Sequence, residues 1–138
     1  MALTKDWSGA FRVDDLTVHS DARGVLYEAL RFSTQNIPPG GQIYIYSVAP
    51  GARRGDHYHG KKSEWFLCVT GRVRLLMTAP DGTAVDEILD ADMPKLVHAA
   101  PGTSHAVVNE EDGVAVIVAY ASKEFDPADP DTVSKSAG

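Results

Sequence analysis

The feature that most constrains this chain is the even spacing of its turn signals. Gly, Pro and Asp punctuate it at residues 21–24, 38–41, 50–51, 71, 80–82, 101–102 and 112–113, and the runs between are short and rich in Val, Ile, Leu and Tyr. Gly admits positive φ and Pro fixes φ, so each mark favours a reversal. Short β-prone runs reversed roughly every ten residues predict an all-β sandwich or barrel. Strands are expected at 11–18, 25–32, 42–48, 56–59, 64–69, 72–77, 84–88, 95–98, 105–109 and 114–119. No stretch sustains a helical period over three turns, although residues 1–9 and the end have room for one turn.

A chain of 138 residues makes one domain. Its core is expected over about 11–122, and the polar, Pro/Asp-rich residues 123–138 read as an extended or loose tail. Several strands are apolar on both faces. In EWFLCV, Glu64, Phe66 and Cys68 share one face and Trp65, Leu67 and Val69 the other, while Val114 to Tyr120 is apolar throughout. Both faces therefore need a cover, from a second sheet or from a second copy, and a homodimer is expected.

Charge narrows the partners. Thirteen Lys and Arg against 19 Asp and Glu leave a net charge of −6, which repels nucleic-acid phosphates and acidic lipid surfaces. A single Cys excludes an internal disulfide and any C-x-x-C site. The N-terminal MALTKDWSGAF lacks the apolar run of a signal peptide, and no apolar stretch is long enough to cross a bilayer. The expectation is a soluble cytoplasmic protein with no nucleic-acid or membrane partner.

The chemistry concentrates in GARRGDHYHGKKSEWFLCVTG, residues 51–71. His57 and His59 are two apart, so on a strand both rings point to one face and Tyr58 to the other. Glu64 follows across a Gly-Lys-Lys-Ser turn, where an antiparallel neighbour brings its carboxylate beside the imidazoles. Together they offer the donors of a divalent first-row metal site. His105, after the Pro101-Gly102 turn, is a fourth candidate and shares its strand face with Val107 and Asn109.

The spacing G-x5-H-x-H-x4-E-x6-G, filled by Gly51, His57, His59, Glu64 and Gly71, resembles the first cupin motif. Gly102, His105 and Asn109 resemble the second, with Ala100 and Pro94 departing from it at turns. The resemblance implies a single-domain cupin, a double-stranded β-helix or jelly-roll barrel, with a metal on His57, His59, Glu64 and His105. GARRGDHYHGKKSEWFLCVTG, VHAAPGTSHAVVN and YASKEFDPADPDT further resemble the C-terminal cupin domain of bifunctional capsular-polysaccharide assembling proteins. That likeness implies a zinc-dependent C3-epimerase of a nucleotide-linked 4-keto-6-deoxy sugar. Asp21, Arg23, Gly24, Glu28 and the Arg54-Gly55-Asp56-His57 run also resemble dTDP-4-keto-6-deoxyglucose 3,5-epimerases. Sugar 3,4-ketoisomerases share R-G-x-H-x-H, usually with Gln where this chain has Glu64.

Epimerisation next to a carbonyl requires a base, a positive charge at the developing oxyanion and an acid on the far face. A metal on the four ligands would serve the oxyanion. The ligand set is compatible with Zn, Mn, Fe or Ni, and zinc is implied by the resemblance alone. If no metal binds, His57 is the base by its likeness to the R-G-x-H histidine. Tyr46 and Tyr44 share a strand face, and Tyr46 is the candidate acid. Arg23, Arg54 and Lys61, with Arg53, are candidates for the substrate diphosphate. The competing readings are a cupin dioxygenase or polyketide cyclase, and a non-catalytic sugar-binding cupin, because one fold hosts all of them.

Overall fold

The computed structural model describes residues 4–7 and 9–138, with the first of these segments described by its backbone. Thirteen strands follow one another among these residues: β1 Thr4–Trp7, β2 Phe11–Asp15, β3 His19–Asp21, β4 Gly24–Leu26, β5 Gln42–Val48, β6 Arg53–Tyr58 and β7 Glu64–Thr70, then β8 Arg72–Thr78, β9 Ala84–Asp90, β10 Lys95–Ala99, β11 Ser104–Val108, β12 Ala115–Ala121 and β13 Val133–Ser134. They form two facing sheets, ordered β1-β2-β10-β7-β12-β5 and β13-β6-β11-β8-β9, and a separate β3-β4 hairpin. Every ladder between named strands is antiparallel. From β5 to β12 the chain passes back and forth between the layers, so each inward face meets the other sheet.

Phe11 and Val13 of β2, Phe66 and Cys68 of β7, Val73, Leu75 and Met77 of β8, Val97 of β10 and Ile117 of β12 fill the interlayer space. Period-two alternation puts these residues inside. Burial of each large apolar side chain contributes about 1.5–3 kcal/mol before chain entropy is counted.

The expected strand at 25–32 ends at Leu26. Residues 27–37 instead run without ladder pairing over the outside of the six-stranded sheet, where Tyr27, Leu30 and Ile37 pack on Trp65, Leu67, Leu96 and Tyr120. The Tyr120 hydroxyl clamps the end of this segment, donating to the Pro38 carbonyl at 2.5 Å and accepting from Gly41 N–H at 3.1 Å. Apolar spacing in 25–32 thus serves a cover, not a ladder. Of the outward side chains of β7 that suggested a second subunit, Trp65 and Leu67 are covered by the chain itself, and Val69 stays exposed. Ile43 and Ile45, on the outward side of edge strand β5, stay 65% and 67% exposed.

The tail is extended but not loose. Val133 and Ser134 pair with Tyr58 and His57, Lys135 N–H donates to the Asp56 carbonyl at 2.8 Å, and Ala137 is buried. It closes the outer edge of β6. No helix among the described residues is long and apolar enough to cross a membrane.

Candidate functional site

The site begins with an irregularity in β6. Opposite β11, His57 faces His105 and Gly55 faces Ala106, so Asp56 is an extra residue in the ladder. This bulge needs unusual backbone: Gly55 has φ 101° and Asp56 φ 57°. A Cβ on Gly55 would stand 2.6 Å from the His105 carbonyl oxygen, so only glycine lets the strands approach here. A bulge resets strand alternation. Arg54 and His57, three apart, consequently line the same cavity. Arg53 is held elsewhere, bonded through two guanidinium nitrogens to Asp56.

His57, His59 and His105 bring one ring nitrogen each within 4.8 Å of one another. Their centroids lie 4.9–5.7 Å apart. Glu64, first residue of β7, enters from the opposite sheet. Its Oε2 is 2.5 Å from His59 Nε2, and its Oε1 is 3.7 Å from His105 Nε2. All but His57 are buried.

Hydrogen bonds on the far side of the rings fix which nitrogen faces inward. His59 Nδ1 bonds the Asp131 carbonyl at 2.8 Å, and His105 Nδ1 bonds the Thr103 carbonyl at 3.3 Å. Each Nδ1 therefore carries its proton, and in the neutral ring Nε2 presents a lone pair to Glu64. Two acceptors 2.5 Å apart repel unless a positive charge stands with them. His59 Nε2 and Glu64 Oε2 are buried and, close as they are, neither has a hydrogen-bond partner. That orphaned pair, with a second imidazole lone pair on the same carboxylate, fits a divalent cation by donor type and direction.

The electrostatics agree. Burial alone would raise the Glu64 pKa, but contact with His59, the charge of His105 and a hydrogen bond from Tyr44 hold it down to about 2. Burial depresses His59 too, and the Glu64 carboxylate more than reverses this, leaving it raised. Burial lowers His105, and burial followed by the charge of His59 lowers His57. The cluster therefore pairs a firmly ionised carboxylate with two imidazoles, His57 and His105, kept neutral with lone pairs to offer, while at His59 the carboxylate favours positive charge, which a proton or a bound cation supplies.

Beside it opens a cavity of about 140 Å³ lined by Tyr44, Tyr46, Arg54, Gly55, His57, Glu64, His105 and Val107. Tyr44 and Tyr46 stack with centroids 6.1 Å apart. Burial, and then the Glu64 charge, push both phenols up, so they stay protonated. The Arg54 guanidinium carbon lies 5.2 Å from the Tyr46 ring centroid, and its Nη1 donates to the Ser47 carbonyl at 3.3 Å.

Of the residues singled out by sequence, His57, Glu64, His105, Tyr46 and Arg54 line this cavity, and His59 stands directly behind it. Arg23 and Lys61 do not. Arg23 lies on the β3-β4 hairpin, paired with Asp21 at 2.6 Å, and Lys61 pairs with Asp129 of the tail. Asn109 is a strut, donating to the Val48 and Gly113 carbonyls and accepting from Glu111 N–H. Sequence reading missed Asp131. Its signals are its place in the Asp129-Pro130-Asp131-Thr132 ending, which carried a resemblance but no role, and the Gly60-Lys61-Lys62 turn, whose backbone N–H groups need an acceptor from somewhere.

A two-layer antiparallel jelly roll with a His-x-His…Glu…His cluster between its sheets is a cupin. The chain belongs to the family described as the polysaccharide biosynthesis C-terminal domain, whose model matches residues 19–133. A UDP-2-acetamido-2,6-beta-L-arabino-hexul-4-ose reductase of Pseudomonas aeruginosa is 30% identical over 125 residues, covering 90% of this chain and 32% of its own length. The capsular polysaccharide assembling protein CapF of Staphylococcus aureus superposes with TM-score 0.68 and 26% identity, over 88% of this chain and 34% of CapF. The chain thus spans about a third of these two relatives. ChmJ, a 3'-monoepimerase from Streptomyces bikiniensis solved with dTDP-quinovose, shares the fold at TM-score 0.80 and 23% identity, over 91% of this chain and 69% of its own.

Proposed function

We propose that this chain is an epimerase or isomerase of a nucleotide-linked 4-keto-deoxysugar, working in polysaccharide or glycosylated-metabolite synthesis. One observation carries the reading: a cationic side chain, two protonated phenols and a His/Glu cluster face a single ring-sized cavity. The family and the names of its relatives support that substrate class.

A 4-keto group makes the C3–H bond acidic. Breaking it requires a lone pair at the proton and positive charge or hydrogen-bond donors at the oxygen. His57, His59, Glu64 and His105 would hold a divalent ion, zinc by the family resemblance, with Mn, Fe or Ni able to use the same donors. Such an ion, when bound, supplies Lewis-acid stabilisation of the charge on the sugar oxygen. The chain's own groups do the rest. Tyr46 Oη, kept protonated by burial, donates to the enolate or returns its proton. Arg54 sets a fixed positive charge at the wall for the oxyanion or a phosphate oxygen. Val107 and the Tyr44 ring give the sugar apolar surface and exclude water.

His57 has a second assignment, favoured by its place on the cavity wall and by surroundings that keep it neutral. With the ion on His59, Glu64 and His105 alone, its lone pair is free to take the C3 proton. Exposed Ile43 and Ile45 on edge strand β5 support pairing of two copies across that edge.

Incubation with UDP- or dTDP-4-keto-6-deoxy sugars in heavy water, followed by NMR of the sugar C3 and C5 protons, tests the reading. Deuterium should enter at C3, with loss in His57→Asn; if ion content survives that substitution, His57 is the base. No uptake into any such sugar would overturn the proposal.

A further inference from the structure

We infer that Asp131, on the C-terminal tail, is a positioning residue for His59 and so for the cation cluster; this rests on reading that cluster as a cation site. Two contacts from one residue carry it. The Asp131 backbone carbonyl accepts the His59 Nδ1 proton at 2.8 Å. The same residue's carboxylate sits in a nest of three successive backbone N–H groups: Gly60 at 2.7 Å, Lys61 at 2.9 and 3.1 Å, and Lys62 at 3.2 Å.

The nest is what holds the carbonyl in place. Residues 60–62 follow His59 directly, so the carboxylate ties the tail to the turn that carries the ring, and the carbonyl then orients the ring itself. Asp131 has φ 52°, a left-handed conformation that Asp tolerates and Ala does not favour. A Cβ on Gly60 would meet Asp131 Oδ1 at 3.2 Å, so the turn is shaped to this close approach. His59 Nδ1, once hydrogen-bonded, can only turn Nε2 towards Glu64. Groups that orient a ligating histidine in this way typically change metal affinity about 10- to 100-fold when removed.

The ion pair between Lys61 and Asp129 involves the same tail yet is exposed. It serves as an internal control, because it anchors the tail without touching His59.

Two readouts test the inference. In ¹⁵N NMR the His59 Nδ1–H should give a slowly exchanging, hydrogen-bonded resonance in the wild type, with or without metal. It should persist in Asp131→Asn and Asp129→Ala and be lost in Asp131→Ala. Cobalt titration against a chelator should show affinity about 10- to 100-fold weaker in Asp131→Ala and within about threefold of wild type in Asp131→Asn and Asp129→Ala. Should Asp131→Ala fail to fold, Asp131→Gly accepts the positive φ, removes the carboxylate and should show the same two losses. A retained resonance and affinity in the Ala or Gly variant overturn the role of Asp131. If the wild type takes up no cobalt, the cation reading fails, and the resonance alone decides Asp131: its loss in the variant supports the inference and its persistence overturns it.

Discussion

Glu64 and Trp65 are neighbours on β7, each set against a histidine, and the pleat sends them into opposite environments. Glu64 points between the sheets, where its carboxylate touches His59 and His105 and keeps a pKa of about 2 despite burial. Trp65 points outward and lies flat on His98, with centroids 4.5 Å apart and planes 14° from parallel. The first pair is an electrostatic arrangement that packing alone would disfavour. The second is packing, extended by Tyr120, Leu67 and the cover from residues 27–37. Burial beside a histidine therefore does not mark a chemical site. What marks one is polar atoms held close in a geometry that only an added charge resolves.

Substitutions on this strand should separate the two sides. Trp65→Ala should cost about 3–5 kcal/mol in chemical denaturation through the lost stacking and the void it leaves, with Glu64 chemistry unchanged in the surviving folded fraction. Glu64 acts on stability through pH. Its folded pKa is depressed, so its contribution is complete above about 4.5 and is lost as pH falls towards about 2. The metal-free wild type should lose stability steeply over that window, and Glu64→Gln should flatten the slope while Trp65→Ala leaves it intact. An equal slope in Glu64→Gln would break the contrast. The smallest effect belongs to the uncovered part of the same outer face. Ile45→Glu should convert a dimer to monomer in sedimentation at micromolar concentration with folding stability changed by no more than about 0.5 kcal/mol; a dimer unaffected by the change, or a monomeric wild type, would remove β5 as the pairing edge.

Much of this was legible in residue patterns. His57 and His59 two apart, Glu64 after a four-residue turn, and His105 after Pro101-Gly102 follow from strand periodicity and turn chemistry, and the structure places their side chains together. Three things were not legible, each because it depends on a long-range partner. The bulge at Gly55-Asp56, which puts Arg54 beside His57, is a register shift against β11 and leaves no trace in alternation. Residues 27–37 carry apolar side chains like a strand, and only Trp65 and Leu67 on the facing sheet make them a cover. The tail has no hydrophobic period, so its strand pairing and the Asp131 nest come from backbone groups about 70 positions away. Arg23 and Lys61 fit a basic mouth in charge and sequence position, yet each stands paired with an aspartate outside the cavity.

The central claim is that the inward side of β7 faces a cation site built from His57, His59, Glu64 and His105. Elemental analysis of untagged protein, dialysed and measured beside Glu64→Gln, tests it most directly. The account predicts about one divalent first-row ion per wild-type chain, as for a catalytic site of this donor type, and a small residual fraction in the variant. A fully active wild type without a stoichiometric ion, or an ion retained undiminished in Glu64→Gln, would contradict it.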